Sequence, residues 1–343
     1  MFVLETGNSS NALLDKIRDE KHELEKLKIQ IADQRRELRK YDRVEARTEH
    51  LHDIIRDAAR KLSSITLTSR TRPYSASESN GPVEAVLFLN DWHYGMVTSN
   101  IWNAYDTQIC GDRVTELADK VCTYLQRHCV STLHIALLGD MCAGAIHTGT
   151  RVESEEVVCE QLMNVSEILA WLIAEVAGYV DQVKVYSTYG NHMRTIQSKH
   201  DSIHRDNMER LIPWWLQERF AQYTKVQIIE RDDQFAELIH MNVCGSDIIA
   251  SHGDLEVLRK AGPTLHTLFS KTMGIDVDYV VVGDKHHAEN IESLGVDCTI
   301  VPAMCGTDEY AHNKRLYSSP GQTMMIFTPS DGKECVYRIG FKA

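Results

Sequence analysis

An α/β fold of two sheets packed face to face with helices outside, carried behind a long N-terminal coiled-coil helix, is what the sequence predicts. Three observations predict it. Apolar runs of strand length alternate with helix-like stretches from Val83 to about Tyr189, strand-like runs dominate after Lys225, and a segment without proline or glycine, dense in Glu, Lys, Arg, Gln and Leu, fills Asn11 to about Leu67. Alternation of the first kind builds sheets covered by helices. The chain accordingly divides into a helix over 1–67, a linker over 68–82 and one large domain over 83–343.

In the first segment, apolar residues recur at Leu13, Ile17, Leu24, Leu27, Ile31, Leu38 and Tyr41, mostly three or four apart, with Glu20 and Gln34 interrupting the seam. A step of three to Val44 then leads to Leu51, Ile55, Ala58, Leu62 and Ile65. A lone helix this polar has nothing against which to bury its stripe, so the pattern predicts a heptad seam with one stammer and a homo-oligomer built on it. Unbroken, the rod would be on the order of 80 Å long at about 1.5 Å per residue. A helix folded back on the main domain is the competing reading. "TSRTRPYSASESNGP" (68–82) has the composition of a linker.

Beyond it, "VEAVLFLN" predicts a buried strand, "GDRVTELADKVCTYLQRH" a helix, "TLHIALLG" a strand, "ESEEVVCEQLMNVSEILAWLIAEVAGYV" one long helix and "QVKVYSTYG" a strand. Further strands follow at "KVQIIER", "FAELIHMN", "CGSDIIASHG", "VDYVVVG", "CTIVPA", "QTMMIFT" and "ECVYRIGF". No internal repeat is evident.

The 343 residues are 43% hydrophobic and 25% charged, ordinary for a globular chain. No run approaches the roughly 18 apolar residues of a membrane span, and the N-terminus lacks the basic flank and apolar core of a signal peptide, so a cytoplasmic protein without membrane contact is expected. Nine cysteines without a C-x-x-C pair predict reduced thiols rather than disulfides or a thiolate zinc site. A formal net charge of −12 excludes nonspecific coating of nucleic acid, which needs a broad cationic face, and leaves room for a local basic groove.

Chemistry gathers where strands end. "LFLNDWHYG" sets Asp91 and His93 two apart, which in extended geometry sends both side chains to the same side. "LLGDMCAG" supplies Asp140, "TYGNHMR" Asn191 and His192, "IIASHGD" His252, and "VVGDKHH" Asp284, His286 and His287. Each pair alone is a weak signal. Five in series, at the carboxyl ends of apolar strands and made of oxygen and imidazole donors, predict a metal site. Seven or eight donors exceed the needs of one ion and suit two divalent cations about 3.5–4 Å apart, with a carboxylate such as Asp140 between them.

The series D-x-H, G-D, G-N-H, H and G-x-x-H resembles the calcineurin-like metallophosphoesterases across essentially all of residues 84–343. Within that superfamily "GNHMRT", "CGTDEYA" (305–311) and "SPGQTMMIF" look most like the SbcD-like DNA repair exonucleases of phage and bacterial genomes. The resemblance implies a four-layer αββα sandwich and two divalent metals, usually manganese, with iron, zinc or nickel in some members. It implies Asp91, His93, Asp140 and His286 around one metal, and Asp140, Asn191, His252 and Asp284 around the other. It implies single- or double-stranded DNA as substrate, hydrolysed by a metal-activated water, with Asn191 stabilising phosphoryl oxygens and His192 as general acid.

Two positions depart from the family. Where the pattern is G-H-x-H, the first histidine is Asp284 here, and three outcomes stand open: Asp284 ligates, it falls short and leaves a one-metal or inactive centre, or His287 fills the gap. Met193 stands where many members carry an acidic residue. For the substrate, Arg194 and His147 are candidates, with Lys199, His200, His204 and Arg205 on the same loop; a solvated helix face explains that basic run equally. Trp214 and Trp215 are read as packing anchors rather than base-stacking platforms. A small-molecule phosphatase or nucleotide phosphodiesterase, and a noncatalytic scaffold with a degenerate metal site, are the alternatives to a nuclease.

Overall fold

The computed structural model describes residues 18, 20–31, 34–35, 65, 67, 81–199, 201–229 and 237–342. The chain divides into two compact units, Met1–Ala58 and Ala59–Ala343. In the first, residues 20–31 are helical, and Leu24, Leu27, Ile29 and Ile31 are exposed. Most of the expected coiled coil, the linker over 68–80 and His200 lie outside the described residues.

Among the described residues the second unit holds thirteen strands: β1 (Glu84–Leu89), β2 (Thr98–Ser99), β3 (Ala104–Tyr105), β4 (Thr132–Leu137), β5 (Gln182–Ser187), β6 (Val226–Ile228), β7 (Leu238–Val243), β8 (Ser246–Ser251), β9 (Tyr279–Val282), β10 (Glu289–Ser293), β11 (Val296–Ile300), β12 (Gly321–Thr328) and β13 (Gly332–Gly340). Its helices are α1 (Thr107–His128), α2 (Thr148–Glu153), α3 (Val158–Ala177), α4 (Leu211–Phe220), α5 (Leu258–Met273) and α6 (Glu309–Lys314). One sheet runs β13-β12-β1-β4-β5-β6, a second β10-β11-β9-β8-β7, and β2 and β3 form a hairpin. In the first sheet β1, β4, β5 and β6 are parallel neighbours; in the second β8, β9 and β11 are.

The sheets meet through side chains that alternate inward along each strand. Val86, Phe88, Ala136, Leu138 and Met325 from the first pack on Ile239, Met241, Ile248, Ala250 and Val281 from the second. The outer face of the second sheet is covered by Ala261, Leu265 and Phe269 of α5, against Val280, Val282 and Cys298. Over the first sheet, α1 buries Val114, Leu117, Val121 and Leu125, and α3 buries Leu162, Val165, Leu169, Ile173 and Val176, each series three or four apart. The described residues of this unit thus form two facing sheets with helices outside. Strands buried on both faces explain why β1 and β4 read as unbroken apolar runs.

Several elements differ from expectation. The helix expected over residues 153–180 is shorter, α3 running from Val158 to Ala177, and the separate short helix α2 precedes it. Helix α5 was not among the expected elements; Gly262 and Pro263 lie in its first two turns. Strand β10 is an edge strand with mostly polar residues and carries little apolar signal. All nine cysteines are free, and among the described residues no helix is long and apolar enough to cross a membrane.

Candidate metal centre

Five parallel strands in two sheets point their carboxyl ends at one edge of the sandwich. Asp91 and His93 follow β1, Asp140 follows β4, Asn191 and His192 follow β5, His252 follows β8, and Asp284 and His286 follow β9. The loops continue the sheet pairing, with Asp91 N–H on Gly139 O (3.1 Å) and His93 N–H on Asp140 O (2.9 Å). They also press backbone to backbone: a Cβ on Gly139 would stand 2.2 Å from Gly190 N, and one on Gly190 would stand 2.4 Å from Asp140 N.

The D-x-H turn is not extended as expected. Asp91 (φ 50°) and His93 (φ 45°) are both left-handed, as are Asp140 (51°), Asp284 (60°) and His286 (57°). These five make up more than half of the nine non-glycine residues with positive φ among the described residues. That conformation costs about 1–3 kcal/mol per residue and persists where surrounding structure over-determines it, as at functional sites.

Each carboxylate has one oxygen anchored and one presented. Asp91 Oδ2 accepts from Asn90 Nδ2 (2.6 Å) and from the N–H of Asp284 (3.0 Å), leaving Oδ1. Asp140 Oδ1 accepts the backbone N–H of His192 (2.8 Å), leaving Oδ2. Asp284 Oδ2 accepts from Lys285 Nζ (2.7 Å), leaving Oδ1 beside Asn191 Nδ2 (3.3 Å). The imidazoles follow the same logic. His252 Nδ1 is 2.9 Å from Leu138 O and His192 Nδ1 is 2.9 Å from Ala143 O, so in both rings the outer nitrogen donates and Nε2 faces the centre.

The presented atoms lie at distances that suit shared cations. His93 Nε2 is 3.3 Å from His286 Nε2, and Asp91 Oδ1 is 3.8 Å from the first and 3.6 Å from the second. His252 Nε2 is 3.2 Å from Asp140 Oδ2 and 3.6 Å from Asp284 Oδ1. Ligands bound at about 2.1 Å stand roughly 3.0–3.4 Å apart around one ion, so both triangles need little contraction. Asp91 Oδ1 and His252 Nε2 are buried without a hydrogen-bond partner, an expensive arrangement that a cation would relieve. Asp91, Asp140 and His252 form one potential metal-holding group and His93, Asp140 and His192 another, so Asp140 is common to both. The residues present fit divalent metal.

Electrostatics agree with that fit. Burial pushes the Asp91 carboxyl up, but His286, His252 and His93 outweigh it and hold it at about 2. Asp140 is likewise held well below the carboxylate range, because His252 and His192 overcome its burial. Burial, then His192, pushes His93 down to about 3 and keeps it neutral. Burial disfavours charge on His252 and His286, yet Asp140 raises the first well above the ordinary value and Asp91 the second. Two imidazolium protons therefore balance two carboxylates where cations would otherwise do so.

Of the remaining candidates, His147 stacks edge-on to His192, ring centroids 5.1 Å apart. Arg194 donates to the carbonyls of Asn191, Ile196 and Gln197, which shapes the loop carrying Asn191 rather than extending a free guanidinium. Lys199 pairs with Asp254 (2.9 Å). Trp215 is buried with Nε1 on Glu167 Oε1 (2.5 Å). His287 turns away from the centre, with Nδ1 2.9 Å from Lys285 O and Nε2 3.3 Å from Glu289 Oε2, so it does not fill the gap at 284.

Four further residues matter. Glu209, fully buried, accepts the backbone N–H groups of Asp140 (3.0 Å), Met141 (2.5 Å), Cys142 (3.4 Å) and Gly190 (2.8 Å), tying two ligand loops together. Burial and the adjacent Asp140 push its carboxyl up to about 7 against those donors. It supplies the acidic support that Met193 does not, since Met208 N–H on Met193 O (2.9 Å) brings 209 beside the loop. Gln322 accepts from Asn90 N–H (3.0 Å) and Trp92 Nε1 (3.1 Å), clamping the D-x-H turn. Buried Arg113 donates to the carbonyls of Met304 (2.8 Å) and Cys305 (3.1 Å), and Cys305 Sγ lies 4.0 Å from His286 Nδ1. In the sequence, Cys305 and Gln322 lie in the stretches "CGTDEYA" and "SPGQTMMIF" that carried the family resemblance, the acid missing after G-N-H hinted at Glu209, and nothing marked Arg113.

No family model matches the chain. It is 21% identical over 349 residues to the SPbeta prophage-derived uncharacterized protein YonJ of Bacillus subtilis (strain 168), covering 97% of this chain and 82% of that protein. Among solved structures, an archaeal phosphodiesterase matches 75% of this chain and 99% of its own at 12% identity with a TM-score of 0.38. Zinc-complexed Vps29 from Entamoeba histolytica matches 75% and 99% at 14% identity with a TM-score of 0.34. Likenesses of this size do not bear on function, which rests on the side-chain geometry above.

Proposed function

We propose that this protein is a metal-dependent phosphodiesterase acting on DNA, a nuclease of SbcD-like type, assembled into homo-oligomers through its N-terminal helix. The observation that supports it most is the placement of Asp140, whose carboxylate is shared by two donor groups drawn from four strand ends. Two divalent cations, manganese by preference for so thiolate-poor a donor set, would supply charge neutralisation at phosphorus and a lowered water pKa when bound by Asp91, His93, Asp140, Asn191, His252, Asp284 and His286.

The chain's own residues do the rest. His192 is held by its backbone N–H on Asp140 Oδ1 (2.8 Å) and by Nδ1 on Ala143 O (2.9 Å), so the proton it gives to a leaving oxygen is carried at Nε2. That nitrogen is 4.0 Å from Asp140 Oδ2. Asn191, anchored through its own carbonyl by Arg194 (2.7 Å), turns its amide to the same opening. His93, neutral and buried, walls the floor beside His192 and helps exclude water.

The test is metal analysis and turnover of single-stranded DNA, duplex DNA and a chromogenic diester after chelation and reloading with manganese. Two metals per chain with metal-dependent cleavage of DNA would support the reading. Full activity after exhaustive chelation, or a preference for a small phosphomonoester over every diester, would overturn it.

A further inference from the structure

The position that departs from G-H-x-H carries a second peculiarity next to it. Asp284 brings a negative charge where the pattern has a neutral imidazole, and Lys285 places Nζ 2.7 Å from Asp284 Oδ2. The other oxygen turns inward, 3.6 Å from His252 Nε2 and 3.3 Å from Asn191 Nδ2. One carboxylate therefore faces the donor cluster on one side and an ammonium on the other.

The backbone enforces this division. Lys285 N–H bonds to Gly283 O (2.7 Å) across Asp284, whose φ is 60°, which makes the rare, strained form of three-residue turn. The turn is pinned from inside by Asp284 N–H on Asp91 Oδ2 (3.0 Å) and from outside by Lys285 O on His287 Nδ1 (2.9 Å). Lys285 is thus set in place by its neighbours on both sides.

Exposure shows where the ammonium sits. The Asp91, His93, Asp140 and His252 side chains are 0–3% exposed and form the floor. His192 and His286 at 19%, Asp284 at 21% and Lys285 at 24% form the mouth through which a substrate must enter. An ammonium has three donors, and Asp284 is the one hydrogen-bond partner of Lys285 Nζ among the described residues. Two donors remain at a side chain that is 24% exposed beside the mouth.

We propose that Asp284 and Lys285 act as a charge-neutral pair in place of the missing imidazole, and that Lys285 binds a non-bridging oxygen of the substrate's phosphoryl group. The proposal rests on the phosphoester reading above. Asp284 keeps one oxygen for the inner cluster, and Lys285 cancels the added charge while supplying a contact that an imidazole could not. A charge-assisted hydrogen bond of this kind is worth about a 10- to 100-fold change in anion affinity.

Lys285→Met, Lys285→Arg and the pair Asp284→His and Asp284→His/Lys285→Met test it in the full chain. Manganese stoichiometry and affinity are measured by calorimetry, inorganic phosphate binding on the manganese-loaded proteins, and kcat and KM on a chromogenic diester. Lys285→Met is expected to keep two metals with undiminished affinity, to weaken phosphate binding about 10-fold or more, and to raise KM, with Lys285→Arg recovering much of the loss. The same weakening is expected when Lys285→Met is added to Asp284→His. A weakening confined to the Asp284 background, or a loss of metal in Lys285→Met, would show a lysine that only neutralises Asp284 and would overturn the proposal. Wild-type protein that holds two metals yet neither binds phosphate nor cleaves diesters would instead bring down the phosphoester reading, and this proposal with it.

Discussion

Acidification should strip metal from this site with a steepness set by two imidazoles. His252 Nε2 stands 3.2 Å from Asp140 Oδ2, and His286 Nε2 stands 3.6 Å from Asp91 Oδ1, and these carboxylates raise both histidines well above their ordinary value of 6.5. Raised folded values mean that the two ion pairs stabilise the metal-free protein fully below pH 6.5, and that this contribution is lost as pH climbs through the folded values. A metal bound at Nε2 replaces the proton there. Below those folded values the two ions together release about two protons, one from each histidine, so the affinity of each ion changes by up to about 10-fold per pH unit, or about 1.4 kcal/mol. His93, held at about 3, contributes none. Manganese titrations at about pH 7, repeated in buffers of different ionisation enthalpy, count the protons directly, and His252→Gln should lower the count by about one. Release near zero, or an affinity flat between about pH 6 and 7.5, would refute the charge assignment.

Replacing Asp140 by Asn should abolish two-metal binding and reduce diester turnover by at least about 1000-fold, because both donor groups lose their common oxygen; metal analysis beside kinetics decides it. His192→Gln should keep metal content and lower kcat by about 100-fold or more, the usual effect of losing a general acid. In Glu209→Ala, four backbone N–H groups lose their acceptor at about 1–3 kcal/mol each, partly offset by removal of a buried carboxyl, so thermal unfolding should fall by more than about 5 °C. Removal of residues 1–58, one compact unit, should lower the mass in light scattering while small-diester hydrolysis persists.

The strand ends were legible because they combine two strong signals, an unbroken apolar run and an abrupt change to Asp, Asn or His. Such runs are what strands buried on both faces require, as β1, β4 and β9 show. What stayed hidden depends on groups that composition does not encode. Glu209 works on backbone N–H groups, so nothing about its neighbours "DNMERL" distinguishes it from a surface acid. Helix α5 was masked by Gly262, which lies close against Val296 and Cys298, and by Pro263 beside it. The D-x-H turn misled in its geometry, because spacing alone cannot separate an extended pair from a left-handed one.

The left-handed backbone at five candidate ligand positions has a consequence for how such a centre can change over time. Of the side chains able to grip a divalent ion, aspartate, asparagine and histidine tolerate positive φ far better than most others. A lineage drifting at residue 284 therefore draws from a very short alphabet, and a swap between imidazole and carboxylate is among the few moves that spare the loop. Glutamate or cysteine there would meet the metal's chemical demands and fail the chain's conformational ones. Variation at this centre is filtered first by the main chain and only then by the ion.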